Sequence, residues 1–309
     1  MIITLTMNPA IDKTVTVKEF TIDHVNRISD VHLDAAGKGI NVSKVVKNLG
    51  GRTKTIAFLG GSNGDFIEKS LQEDHVTLVK IPVEGQTRIN TKIVDPIRGT
   101  FTDINEAGPK VEKAHVDLFI NQLISHSSSQ TTLVLTGSLP PGMPSSVYRD
   151  LIEQVSAFGA TTVLDASGES FRQALKAKPT IVKPNIHELE QYLGHKLSTE
   201  HEIIEAGRHM INDGVEIVVI SLGHEGAVMV TKDKVLKAKG LNVDVKSTVG
   251  AGDAMVAALC YGYEKKFPLD EIFNLAIASS AAQVSVKGTK PPSLDLIYKL
   301  RKQVEIIEI

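Results

Sequence analysis

At 309 residues, with 42% hydrophobic side chains, the chain is long enough for one large α/β domain or two ordinary ones and can bury a sizeable core. A net charge of −2, with no run of Lys or Arg longer than a pair, offers no basic face for nucleic acid or an anionic membrane. The single cysteine, Cys260, excludes an internal disulfide and suits a reducing compartment; within its apolar run it reads as a small core residue.

In chain order, the apolar residues of the N-terminus are interrupted at Thr4, Thr6 and Asn8 and stop at Asp12, the pattern of a strand and not of a signal peptide. No segment approaches the roughly 20 apolar residues that span a bilayer, so a cytoplasmic protein is expected. Asp12 follows Pro9-Ala-Ile at the end of this first strand. A carboxylate there either accepts hydrogen bonds from a ligand or caps its own turn. The segment Ala36-Gly-Lys-Gly-Ile-Asn-Val-Ser43 comes next. Gly37 and Gly39 allow close backbone approach to a ligand, Asn41 both donates and accepts, and Lys38 is an anion partner or a solvated charge. Val42 stands where a dinucleotide loop has a small residue, and the glycine spacing is not that of a phosphate-binding Walker loop.

Residues 14–31 and 86–104 carry period-2 stretches without a helix signal, and the second puts Arg88, Asn90 and Lys92 on one face with Ile89, Thr91 and Ile93 on the other. They predict a small sheet, contributed by about 13–35 and 86–105, that projects from the main domain; an ordinary edge with one solvated face is the plainer alternative. Elsewhere, β-rich runs at 55–59, 132–135, 162–164, 181–182 and 217–220 end abruptly at Gly, Ser, Asn or Asp. Helix-compatible stretches such as 145–158 and 199–212 lie between them. This alternation predicts one α/β unit over residues 1–309, a doubly wound, mostly parallel sheet with helices on both faces. Ligands then bind at the carboxyl ends of the strands.

Several polar motifs fall at those ends. Ser138 lies in Gly137-Ser-Leu-Pro-Pro-Gly142, where it contacts a ligand or stabilises the turn. Asn185 with Glu188 three residues on is a helix-capping arrangement, or a pair of hard oxygen donors near a cation. Ser221, Gly223 and Gly226 form a turn after a late strand. In Ser247-Thr-Val-Gly-Ala-Gly-Asp253, Gly250, Ala251 and Gly252 let backbone N–H groups converge on an anion at a helix N-terminus. Asp253 is then a proton acceptor beside that turn, or only a cap. The apolar run 275–286 reads as a pocket wall or as helix core.

The segments 36–43 and 247–253, with Gly50 and Gly60, resemble the two signatures of the ribokinase-like, or PfkB, family of sugar kinases. Further matches run along the chain: Thr6-Met-Asn-Pro-Ala-Ile-Asp12, Thr87-Arg-Ile-Asn90, 137–142, Lys183-Pro-Asn-Ile-His-Glu-Leu189 and Ser221-Leu-Gly-His-Glu-Gly226. The resemblance implies a ribokinase-like fold with a β-sheet lid and ATP-dependent phosphorylation of a ketohexose monophosphate. It points first to fructose 1-phosphate, giving fructose 1,6-bisphosphate, with tagatose 6-phosphate as the alternative.

Residue by residue, it implies Asp253 as general base and Gly250, Ala251 and Gly252 as the anion hole. Asp12, Gly37, Gly39, Asn41, Asn90 and Ser138 would contact the sugar, and Lys38 and Arg88 its phosphate. Asn185, Ser221, Gly223, Gly226, Thr248, Gly250 and Gly252 would bind the nucleotide, and Glu188 would hold Mg2+ through water. The run 275–286 would line the adenine pocket, and the lid would pair two subunits. Ser247 stands where cation-dependent members carry aspartate, which argues against a bound monovalent cation; Ala36 replaces the usual glycine. A non-catalytic nucleotide or sugar-phosphate binding protein is the rival from another class, and a nicotinamide oxidoreductase a third. No CxxC, HExxH or GxSxG motif supports zinc or serine-hydrolase chemistry.

Overall fold

β-branched and aliphatic runs cut short by small polar residues become the strands of a ten-stranded sheet in the computed structural model, which describes residues 1–309. From edge to edge the strands are Ile306–Glu308, Val235–Ala238, Ala227–Val230, Ile217–Ser221, Ile181–Val182, Thr161–Asp165, Thr132–Thr136, Ile2–Thr6, Thr53–Leu59 and Thr77–Pro82. Every pairing from Ile217–Ser221 to Thr77–Pro82 is parallel. The remaining pairings, towards the C-terminal edge, are antiparallel. This is the mostly parallel, doubly wound sheet expected from the alternation of strand and helix signals.

Successive side chains on a strand point to opposite faces, and each face is buried. Leu133 and Leu135 belong to a core cluster of 33 residues on one side, and Val134 to a cluster of 30 on the other. The second cluster includes the helices Ala251–Glu264 and Leu269–Val284, with Cys260 fully buried between them and the sheet. The helix expected at 145–158 spans Val147–Ser156, and that at 199–212 spans Glu200–Asn212 behind a Thr199 capping box.

A second, four-stranded sheet runs Ile28–Ala36, Ala10–Val17, Arg88–Asp95, Thr100–Asn105. Its register places Asp34 opposite Asp12, Asp12 opposite Asn90, and Asn90 opposite Asn105, giving one polar row across the sheet. Two boundaries differ from expectation. The first strand of the chain ends at Thr6, and Asp12 lies inside the second strand, because Met7-Asn8-Pro9 interrupts the pairing and proline lacks the N–H a ladder needs. Residues 18–27 form no strand, so the first lid region is two strands joined by a loop.

Candidate active site

The order of the main sheet reverses at Ile2–Thr6, which has the Thr53–Leu59 strand on one side and the Thr132–Thr136 strand on the other. In doubly wound sheets the crevice at such a switch point, at the carboxyl ends of the strands, is where ligands bind. A cavity of about 890 Å³ opens along the carboxyl ends of the strands that finish at Asp165, Val182 and Ser221, and an adjoining one of about 440 Å³, lined by Thr6 and Thr136, extends it to the switch point under the small sheet.

Two helices aim their N-termini at the larger cavity. The helix Ala251–Glu264 starts from Gly250, whose φ of 79° is a left-handed conformation that favours glycine. Gly250, Ala251 and Gly252 line the wall, and Asp253 follows in the first turn, 6% exposed. Asp253 is not the cap of this helix, since Gly250 occupies that position; its carboxylate Oδ2 accepts from Asn41 Nδ2 at 2.8 Å. Asn41 belongs to the second helix, Lys38–Asn48, which leaves Gly37 at φ 132°. Gly39 is absent from the cavity wall: its missing Cβ would lie 2.4 Å from Leu5 O, so the glycine lets this helix press on the first strand.

The other expected positions are brought together. Asp12, Gly37, Lys38, Asn41, Arg88, Asn90, Asn185, Glu188, Ser221, Gly223, Gly226 and Thr248 all line the larger cavity, and Ser138 lines its extension. Asn90 Nδ2 donates to Asp12 Oδ1 at 3.1 Å, as the strand register requires. Asn41 Oδ1 and Asn90 Oδ1 are buried without a protein partner on the same wall, a pair of acceptors suited to hydroxyl donors. Arg88 is held by neutral oxygens: Nε and Nη2 donate to Asn8 O, Nη1 to Glu106 O, and Nη2 also reaches Ser138 Oγ at 3.4 Å. Its charge is oriented but has no carboxylate in direct contact, the condition of a guanidinium that can take an anion. In the run 275–286, Ile277, Ala281 and Val284 face the cavity, and Leu275, Ala276 and Ala278 pack in the core.

Two residues not anticipated from the sequence stand at the centre. Asp165, at the end of its strand and 1% exposed, faces Lys38 Nζ with Oδ2 and Lys183 Nζ with Oδ1, both at 3.1 Å, and accepts from Thr136 Oγ1 at 2.8 Å. Lys183 is itself buried, and its Nζ would lie 3.5 Å from a Cβ at Gly252, beside the anion turn. The only local signal was position: Asp165 ends a β-rich run, and Lys183 opens the Lys-Pro-Asn motif.

These contacts set the electrostatics. Burial pushes the Asp253 carboxyl up to about 6, against the opposing pull of Lys38, with Asp165 adding to the rise and the Asn41 hydrogen bond reducing it. Burial also disfavours ionised Asp165, yet Lys183, Lys38 and the Thr136 hydroxyl hold it well below the usual carboxylate range. Asp165 in turn raises Lys38 despite its burial. Asp12 is raised, first by burial, and Arg88 is lowered, first by burial. For a divalent cation, no three His, Cys, Asp or Glu side chains converge on a cage. Glu188 is half committed: Oε2 accepts from Asn185 N in a capping box, and its other oxygen takes no protein donor on the cavity wall. That donor set fits a cation held through water and by ligand phosphates, as is usual for Mg2+.

Residues 3–296 match the profile of the pfkB family carbohydrate kinases. The 1-phosphofructokinase of Haemophilus influenzae is 35% identical over 309 residues, covering 100% of this chain and 98% of the relative. A tagatose-6-phosphate kinase of Staphylococcus epidermidis is 32% identical over 313 residues, covering 100% of both. Among solved structures, phosphofructokinase-2 from Escherichia coli in complex with potassium superposes with a TM-score of 0.93 at 27% identity, over 98% of each chain.

Proposed function

The chain belongs to the pfkB family of carbohydrate kinases and is a phosphotransferase, and we propose that it transfers the γ-phosphoryl group of ATP to the free primary hydroxyl of fructose 1-phosphate. The observation that carries this reading is Asp253: a buried carboxylate, oriented by Asn41, in the first turn behind the 250–252 anion turn. A base in that position can take the hydroxyl proton as the phosphorus–oxygen bond forms, and the convergent amides and helix N-terminus can carry the charge of the migrating group.

The two ends of the cavity divide the substrates. Asp12, Asn41 and Asn90 offer donors and acceptors to sugar hydroxyls, and Arg88, with Ser138 beside it and Lys38 nearby, offers charge to the sugar's phosphate. Thr248, Asn185, Ser221, Gly223 and Gly226 would border the nucleotide phosphates and ribose, with Ile277, Ala281 and Val284 against the base. Mg2+, held by Glu188 through water, would neutralise charge on the nucleotide phosphates. The H. influenzae relative is named for fructose 1-phosphate chemistry, which favours that sugar. The E. coli relative's potassium weighs against the expectation drawn from Ser247, and this reading requires no monovalent cation either way.

A second substrate has its own support: the S. epidermidis relative, matched over the whole chain, is a tagatose-6-phosphate kinase. A ketohexofuranose carries hydroxymethyl carbons on both sides of its ring oxygen, so a flipped ring presents a 6-phosphate to Arg88 and the 1-hydroxyl to Asp253. ADP release measured side by side with fructose 1-phosphate, fructose 6-phosphate and tagatose 6-phosphate at fixed MgATP tests the reading. The largest kcat/KM is expected for fructose 1-phosphate; a larger value for tagatose 6-phosphate reverses the assignment, and no ADP release with any of them overturns the kinase reading.

A further inference from the structure

Asp165 is the sole carboxylate between two ammonium groups, and a purely structural ion pair would need only one of them. Lys38 meets Oδ2 from the first residue of its helix, and Lys183 meets Oδ1 from just beyond the Ile181–Val182 strand. Thr136 Oγ1 donates to Oδ2 as well, and the main-chain oxygens of Thr136 and Gly137 accept from the buried Tyr148 hydroxyl, so the carboxylate is braced from beneath. The three groups together carry one net positive charge, which the nearby Asp253 carboxylate offsets when ionised, and all three line the cavity. The two lysines also face different parts of it. Lys38 borders the extension shared with Arg88 and Ser138, whereas Lys183 stands at Gly252 in the anion turn. Lys183 is buried, whereas the Lys38 side chain is 40% exposed and lines the cavity, so the two lysines offer positive charge to an anion that enters there.

We propose that Asp165 is a positioning residue for phosphoryl transfer: it holds Lys38 on the sugar-phosphate side and Lys183 on the anion-turn side of the path that the phosphoryl group travels. The inference rests on the kinase reading above. Asp165 acts from the cavity wall, by keeping two mutually repelling ammonium groups at fixed places before the substrates arrive, so that no reorganisation is required as charge moves between donor and acceptor. Two flexible lysines without it would separate, and each would lose the orientation that makes its charge useful.

The test is a cycle of four proteins, wild type, Asp165→Asn, Lys183→Met and the double variant, each compared by thermal melt and by kcat and KM with MgATP and fructose 1-phosphate or, if preferred, tagatose 6-phosphate. Each single variant is expected to lower kcat by about 10²-fold or more, the usual effect of losing a preorganised charge partner. The double variant is expected within about 10-fold of the poorer single one, because both changes dismantle the same arrangement. A folded Asp165→Asn protein with kcat near that of wild type, or losses that multiply in the double variant, overturns the proposal. If Asp165→Asn leaves Lys38 and Lys183 without their carboxylate and does not fold, the comparison moves to the double variant, neutral at both positions, against Lys183→Met. Rates within about 10-fold then support the clamp, and a further loss of about 10²-fold overturns it. A wild-type protein inactive on every ketohexose phosphate removes the kinase reading and the clamp with it, whereas active wild type with active Asp165→Asn removes the clamp alone.

Discussion

The side-chain amide of Asn41 donates to Asp253 Oδ2 at 2.8 Å, joining positions 212 residues apart and fixing the one carboxylate that follows the anion turn. With Oδ2 held, the other oxygen is left for a substrate hydroxyl. Asp253→Asn keeps the shape and the contact with Asn41 but cannot accept a proton. Its turnover is expected to fall by about 10² to 10⁴-fold, the range for losing a general base. Purified Asp253→Asn with near wild-type kcat would reduce Asp253 to a helix-terminus residue. Because the fold holds its proton more tightly than the unfolded chain does, ionised Asp253 disfavours the fold at neutral pH. The variant is therefore expected to melt no lower than wild type.

The same shift sets a pH profile. The base works only when ionised, and burial raises its folded value to about 6, so kcat/KM should rise with pH through about 6 and level off above it. Asn41 lowers that value through its hydrogen bond, and Lys38 and Lys183 lower it through their charge. Asn41→Leu removes the first of these contributions, so its acid limb should move to higher pH. A profile measured with saturating Mg2+ that stays flat from pH 5 to 8, or an Asn41→Leu limb moved to lower pH, would contradict the assignment of Asp253.

Much of this site was legible because its chemistry is written in short runs. Gly250 to Asp253 are consecutive, and Asn185 and Glu188 share one helical turn. Strand ends at Asp165 and Ser221 were visible from β-rich runs that stop at polar residues. The Lys38–Asp165–Lys183 group was not legible, because the parallel pairing of two strands brings Asp165 beside Lys183, while Lys38 enters from the helix that follows the small sheet, more than 120 residues away in sequence. Asp12 was placed on the wrong strand for a related reason: Pro9 ends one ladder and the chain enters another at Ala10, two residues before the aspartate, within a single apolar run. Gly39 was readable either way, because a glycine spared for a ligand and one spared for helix packing look alike in sequence.

Arg88 separates sugar recognition from nucleotide recognition. Its guanidinium is positioned by the Asn8 and Glu106 carbonyls and is free of a direct carboxylate partner, so Arg88→Ala removes a charge-assisted contact without unpairing an acid. The loss should be about 1.5–3 kcal/mol in kcat/KM for the sugar phosphate, with the Michaelis constant for MgATP nearly unchanged. Equal changes for both substrates, or none, would count against a role in binding the sugar's phosphate.

Gly39 tests packing in place of chemistry. A Cβ there would meet Leu5 O and Thr6 Oγ1, both at 2.4 Å, and neither the strand backbone nor the helix can move away cheaply. Gly39→Ala should therefore destabilise the fold by about 1–3 kcal/mol, the range for overpacking a core. Denaturant unfolding would register this as a lower midpoint. A stability equal to that of wild type, with kcat/KM lost for the sugar alone, would instead return Gly39 to the ligand site.

The last prediction concerns the small sheet. Its polar row of Asp34, Asp12, Asn90 and Asn105 shares a face with Arg88, which borders the cavity, so the residues between them in sequence present the opposite face. On that opposite face Val31, Leu33 and Ile104 are 50%, 45% and 56% exposed. Val31 and Leu33 lie on one edge strand and Ile104 on the other, so exposed apolar side chains flank this sheet face on both sides; such a face buries against a second copy of itself, and self-complementary pairing closes as a two-fold dimer. We therefore expect a homodimer formed through this sheet. Light scattering behind size exclusion should give about twice the mass of one chain for wild type, and Val31→Glu with Leu33→Glu should halve it by placing four like charges at the interface. Because Asp12, Asn90 and Arg88 project from the two central strands of the same sheet, dissociation should raise the Michaelis constant for the sugar phosphate more than that for MgATP. A wild-type monomer, or a double variant that stays dimeric, would place the contact elsewhere or remove it.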